Sequence, residues 1–266
     1  MEHPTPTAHK SRNSLAQIRA DYHLSLLLFK ENIVPLLTVG IIGSGLFYVV
    51  DFLIESFIFP LISWDQFSQI NQIIIYNLLK FPAQGILFGF FGAIMGMVRD
   101  ILGSGDGFTQ IQNFVGYIAL YWGKFFILSI LVNIFNYLVR YTGQEVLNFP
   151  LAIIARICSL IWFILLVEAS PALVYSKNII SAIKDNFQVF RHQTLRVIWS
   201  FLLFYVIFIL PMVILFFLEY HILPAESAGH EFIRALEILF QLFYILIGYP
   251  INGFIATRIY YDEKFA

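Results

Sequence analysis

The sequence predicts an all-α bundle of about six membrane-crossing helices. Three observations carry that expectation: a composition that water would not dissolve, apolar runs that recur along the chain, and basic residues gathered on one set of loops. Hydrophobic residues make up 59% of the chain and charged residues 12%, with a mean hydropathy of +0.78. A soluble domain carries about 25% charge, so most of this surface is expected to meet lipid. The runs approach the ~20 residues that cross a hydrocarbon core about 30 Å thick.

Residues 1–14 form a polar tail with Lys10 and Arg12. They hold no apolar core followed by a small-residue cleavage site, so the first membrane helix is expected to serve as its own signal. The remainder, residues 15–266, reads as a single membrane domain. From Leu15, apolar positions Ile18, Tyr22, Leu26 and Phe29 recur opposite Gln17, Arg19, Asp21 and His23, the pattern of an interfacial amphipathic helix. Spans follow at about 33–60, 82–98, 124–139, 149–175, 195–218 and 232–255.

Between the first two spans, Ile70, Ile73, Ile74 and Leu78 suggest a short helix along the outer surface. The second span carries Gly85, Gly89, Gly92 and Gly96, small residues that let helix backbones approach closely, so it is expected inside the bundle. After a glycine-rich turn at 103–107, Phe108, Ile111, Val115, Ile118 and Trp122 face away from Gln110, Gln112 and Asn113, predicting a second interfacial helix.

The third interfacial helix is the clearest. Ile179, Ile180, Ile183, Phe187 and Phe190 share one face, and Lys184, Asp185, Gln188, Arg191 and His192 share the other. Helix, outward span, turn and inward span thus recur from near residues 15, 108 and 179, suggesting a triplicated helix hairpin.

Basic residues orient the bundle, because short cytoplasmic loops collect Lys and Arg. With the N-terminus inside, inner segments hold Lys10, Arg12, Arg19, Lys30, Arg99, Lys124, Lys177, Lys184, Arg191, Arg196, Arg258 and Lys264. Outer segments hold Lys80, Arg140 and Arg234. A multi-pass protein of the cell membrane with both termini cytoplasmic is the expectation.

Several stretches resemble a known family: Glu168 with Pro171-Ala172-Leu173-Val174, then Ala182-Ile183-Lys184-Asp185-Asn186-Phe187, then Phe190-Arg191 and Arg196, together with Leu28-Phe29-Lys30-Glu31-Asn32. They are similar to the membrane domain that accompanies some glycerophosphoryl diester phosphodiesterases and to its stand-alone six-span relatives in bacteria and archaea. The catalytic barrel is absent, so the resemblance implies a membrane module and not the hydrolase.

Candidate chemistry is sparse. Arg156 would sit about 10 Å below the outer end of the fourth span at 1.5 Å per residue. An unpaired arginine in lipid is costly, so Asp51 and Glu55, one turn apart on the first span, are its expected partners. That cluster reads as a buried staple or as a polar path. Glu168, with Lys177 or Arg99, forms a second candidate site at the inner face. The amides Asn133, Asn136, Gln241 and Asn252 are expected to bond across helices.

His221, Glu226, His230 and Glu231 match no familiar zinc spacing. Gly43-Ser44-Gly45 and Gly103–Gly107 lack the Lys-Ser or Lys-Thr ending of a phosphate loop. Cys158, the single cysteine, excludes an intrachain disulfide. No catalytic, cofactor or metal motif is found, no nucleic-acid partner is expected, and the net charge of −1 is uninformative. The expected partner is the lipid bilayer, with a membrane-protein partner or a second copy of the chain as alternatives. The expectation is a non-enzymatic scaffold or partner subunit in lipid organisation or transport. The rival is a transporter or channel with a polar path at Asp51, Glu55 and Arg156.

Overall fold

The computed structural model describes residues 15–103, 107–145, 169–211, 214–215 and 228–265, and among them every regular element is helical. Helix α1 (Leu15–Glu31) packs Ile18, Asp21, Ser25 and Phe29 against the bundle. Asp21 therefore lies on the packed face and not on the polar one expected for it. It falls in line with Ile18 and Ser25 at three- and four-residue steps, and a partner described below makes its burial tolerable.

Asn32 then interrupts the helix, and α2 (Ile33–Leu53) begins, continuing through a π-helical turn (Ile54–Ile58) and a 3₁₀ turn to Leu61. Its exposed surface is apolar, with Val34, Ile41, Val49, Phe52 and Phe57 uncovered. A continuous patch of this kind suits lipid and not water.

Helix α3 (Gln69–Gly103) is continuous through Pro82. The separate surface helix expected near residues 70–78 is therefore its first turns. From Gly89 to Val98 this helix is buried on all sides. Gly85, Gly89, Gly92 and Gly96 lie beneath an aromatic stripe of helix α4 (Phe114–Glu145), so the second span does lie inside the bundle. A Cβ on Gly89 would stand 2.4 Å from Trp122, whose indole N–H donates to the Gly85 carbonyl at 2.9 Å.

The second interfacial helix is a correction as well. After a 3₁₀ turn at Ile111–Asn113, the chain runs as one helix through Gly123 to Glu145. A lone glycine costs a helix only about 1 kcal/mol, and Trp122 stacking on Phe126 spans the junction. Nothing there redirects the chain.

The other two junctions do break, and in the same way. Helix α5 (Ala169–Tyr175) leads to the amphipathic α6 (Ile179–His192), capped reciprocally by Asn178 and Ser181. Gln193 then separates α6 from α7 (Thr194–Phe204), which continues as a π-helical turn (Tyr205–Ile209). Asn32 has φ −111° and ψ 21°, and Gln193 has φ −116° and ψ 29°. In both, a side-chain amide fixes the break. Asn32 donates to Leu28 O and Gly107 O and accepts from Thr109 N–H, whereas Gln193 donates to Glu263.

Helix α6 packs through Ala182, Asn186 and Val189, leaving Ile180 and Phe187 81% and 45% exposed. An exposed apolar stripe between a packed edge and a polar face is what a helix lying in a membrane surface requires.

Helix α8 (Ala228–Phe243), a π-helical turn (Tyr244–Gly248) and α9 (Tyr249–Lys264) form one rod, longer at its C-terminal end than the expected 232–255. Among the described residues, four helices are long and apolar enough to cross a membrane: Ile33–Leu61, Ile74–Gly103, Ile111–Leu131 and Glu231–Lys264; Thr194–Phe208 is a shorter apolar helix. The expected fourth span lies outside the described residues except for its end, α5. The core forms where the second half of α3 meets α9, with Ile94, Met95, Met97, Phe254, Ile255 and Ile259 almost fully buried.

Candidate functional site

Among the described residues, charged side chains gather in three places: two at the end of the bundle where α1 meets the C-terminal end of α9, labelled the inner end after the expected orientation, and one at the opposite, outer end. The first joins α1, α7 and α9. Arg196, three residues into α7, is fully buried and donates from Nε and Nη2 to the Asp21 carboxylate at 2.5 and 2.8 Å. Its Nη2 also donates to Asp262 at 2.8 Å, and Arg258 Nε lies 3.2 Å from Asp21. Two arginines and two aspartates thus close on one another across three helices. Tyr22 adds a hydrogen bond from its hydroxyl to Ser200 O at 2.7 Å.

The same end of α9 holds the interfacial helix α6. Glu263 meets His192 Nδ1 at 2.5 Å and accepts from Gln193 at 3.1 Å, while Lys264 donates to Asp185 at 2.7 Å and to Gln188 at 2.8 Å. Partial burial pushes the Asp185 carboxyl up, but Lys264 and the Ser176 hydroxyl outweigh that and hold it below its ordinary value.

The second inner cluster lies in a cleft of about 760 Å³. Arg99 donates from Nε and Nη2 to Asp100 Oδ1 at 2.9 and 2.7 Å and from Nη1 to the Tyr121 hydroxyl. The Tyr117 hydroxyl donates to Asp100 Oδ2. Nearby, Lys124 Nζ donates to Leu173 O at 3.0 Å and Ser176 O at 2.6 Å, tying α4 to the end of α5.

At the outer end, Lys80 donates to Asp51 and to Glu55, both at 2.6 Å, and stands 5.6 and 5.5 Å from the ring centres of Phe59 and Tyr76. Glu55 belongs to the π-helical turn, and its side chain is 44% exposed.

The structure therefore brings Asp51 and Glu55 together, with Lys80 as their common cation. Arg156, proposed as their partner, lies outside the described residues, as do Glu168, His221 and Glu226. Arg99 and Lys177 line two neighbouring clefts, of about 760 and 440 Å³, and Tyr175 and Phe265 line both. Gln241 accepts from the Tyr48 hydroxyl at 3.1 Å, a cross-helix bond of the kind expected of the mid-span amides. Asn252 is buried with its Oδ1 unpaired. Among the described residues no group of three or more His, Cys, Asp and Glu side chains is placed to hold a metal ion.

Sequence reasoning missed Asp21, Arg196, Arg258 and Asp262 as a unit. Arg196 carried a signal, because a charge inside the first turn of an apolar helix demands a partner. Asp21, in step with Ile18 and Ser25, carried the other. No family model, curated protein or solved structure matches the chain.

Proposed function

We propose that the chain is a non-enzymatic integral membrane protein of the cell membrane, a scaffold or partner subunit in lipid organisation or in transport machinery. In this reading it crosses the bilayer six times with both termini cytoplasmic. The observation that supports a scaffold over a conduit is the packing of α3 against α9, where Ile94, Met97, Phe254 and Ile255 fill the described centre of the bundle. A translocation path needs polar groups around water at that depth. The charge clusters around Lys80 and Arg196 pair basic with acidic side chains of the chain itself.

The twin breaks at Asn32 and Gln193 support kinship between the first and third hairpins, although the unbroken α4 departs from the pattern. The resemblance to the phosphodiesterase membrane domain fits a stand-alone module, and it rests on the residues quoted above.

Cysteine labelling tests this reading. In a Cys158→Ser background, single cysteines at Ser181 and Ser227 are expected to react with an impermeant thiol reagent from opposite sides of oriented vesicles. Cysteines at Met97 and Ile255 are expected to stay unreactive toward a small water-soluble reagent. Same-side labelling would defeat the six-span topology, and rapid reaction at Met97 or Ile255 would favour a conduit.

A further inference from the structure

The cleft around Arg99 keeps both members of an arginine–aspartate pair partly open to solvent. Arg99 and Asp100 are each about one-third exposed, whereas Arg196 and Asp21 are sealed. Of the five N–H donors of a guanidinium, the bonds to Asp100 and Tyr121 use three, which leaves one on each Nη. An anionic oxygen pair is the natural acceptor for such a fork.

One wall of the cleft is aromatic. Phe265 lies between Tyr175 and Tyr261, with ring centres 5.7 and 5.1 Å apart, and Phe108 is exposed at the rim. Aromatic faces beside a carboxylate attract an ammonium group. The cleft thus offers one pole for an anion and one for a cation, side by side, at the end of a helix long enough to cross a membrane.

We infer that this cleft binds a ligand carrying both a phosphodiester and an ammonium group, the chemistry of a zwitterionic phospholipid head group. Arg99 takes the phosphate. Asp100 with Tyr175, Tyr261 and Phe265 takes the ammonium. A purely anionic head group would bring a second negative charge against Asp100, and a simple cation would meet Arg99. The inference rests on the membrane reading above, since it sets the cleft at the inner face of the bilayer.

The test is native mass spectrometry of the full chain, delipidated in mild detergent and then supplied with equal concentrations of dioleoyl phosphatidylethanolamine, phosphatidylcholine or phosphatidylglycerol. One of the two zwitterionic lipids is expected to be retained about tenfold better than phosphatidylglycerol, the worth of roughly one charge-assisted hydrogen bond. That preference is expected to vanish in Arg99→Gln and in Tyr261→Ala, and to persist in Lys184→Gln, a base on the polar face of α6. Tyr261→Ala touches no ion pair, so it carries the test if Arg99→Gln fails to fold.

Displacement of the lipid by free phosphocholine at similar concentration would assign the same site to a soluble zwitterion. Continued retention against free phosphocholine assigns it to the lipid. Equal retention by wild type, Arg99→Gln and Tyr261→Ala, or a preference for phosphatidylglycerol, would overturn the inference. A chain that still needs detergent for extraction but retains no lipid would defeat this inference while leaving the membrane reading standing.

Discussion

The inner and outer ends of the bundle both bring acids to bases, yet they do so in opposite ways. At the inner end, Arg196 and Asp21 are sealed, and each faces a second partner on α9. At the outer end, one lysine serves two carboxylates, one of them 44% exposed. Burial decides what such a cluster contributes. A sealed pair that loses one member strands a charge with no solvent to receive it, whereas a partly wet cluster lets water or a proton compensate. The inner end is therefore read as the structural lock that fixes α1 and α7 to α9, and the outer end as a looser clasp between α2 and α3.

The sharpest way to break this contrast is to remove one sealed charge. Arg196→Leu is expected to lower stability in detergent by about 3–5 kcal/mol, the cost of stranding a buried partner. A thermal melt of the purified variant checks it. If Arg196→Leu melts with the wild type, the lock is not one.

Next in size is a change that leaves both ends intact and disturbs the packing between them. Gly89→Val would place a Cβ 2.4 Å from Trp122 and break the approach of α3 to α4. Overpacking of this sort costs about 1–3 kcal/mol. The same melt should show a loss smaller than that of Arg196→Leu, and an equal or larger loss would mean that packing dominates the inner end too.

Lys80→Met probes the outer clasp. Two carboxylates are left facing each other, but exposure at Glu55 softens the penalty, and about 1–2 kcal/mol is expected, between the exposed-pair and buried-pair ranges. Neutralising the acids as well, with Asp51→Asn and Glu55→Gln, should recover part of the loss. Failure to recover would show that Lys80 acts through its contacts with Phe59 and Tyr76.

The smallest effect belongs to Asp185 and Lys264, which hold α6 to α9. Because the folded Asp185 carboxyl titrates below its ordinary value of 3.8, its contribution is complete above that value and is lost as pH falls through the lowered one. Wild type minus Asp185→Asn, compared by melts at neutral and acidic pH, should show a difference that shrinks at the acidic end. A difference independent of pH would assign the residue a role other than its charge.

Much of this architecture was legible in the chain, and the limits are instructive. Apolar length located the four long apolar helices, and the glycine ladder at Gly85, Gly89, Gly92 and Gly96 located the buried helix, because both signals are local. The end of the interfacial segment near Thr194 was legible from the loss of amphipathic pattern. The equivalent break at Gly123 was not real, because a glycine and an aromatic-basic pair do not end a helix. What ends α1 and α6 is an amide whose side chain bonds a distant partner, and Asn32 reaching Gly107 or Gln193 reaching Glu263 leaves no local trace. The inner lock was hidden for the same reason. Its members stand 175 and 66 residues apart along the chain, and Asp21 alone looks like one more polar residue on an interfacial helix.

A double-mutant cycle on Asp21 and Arg196 tests that lock most directly. Asp21→Leu and Arg196→Leu each strand charge when made singly. Made together they leave Arg258 and Asp262, which stand one turn apart on α9, at a spacing that lets an arginine and an aspartate pair. The prediction is strong coupling: the double variant should be clearly more stable than the sum of the two single losses allows, and should approach the better single variant or exceed it. Additive losses, with the double variant the least stable of the three, would contradict the claim that these helices are joined by one closed network.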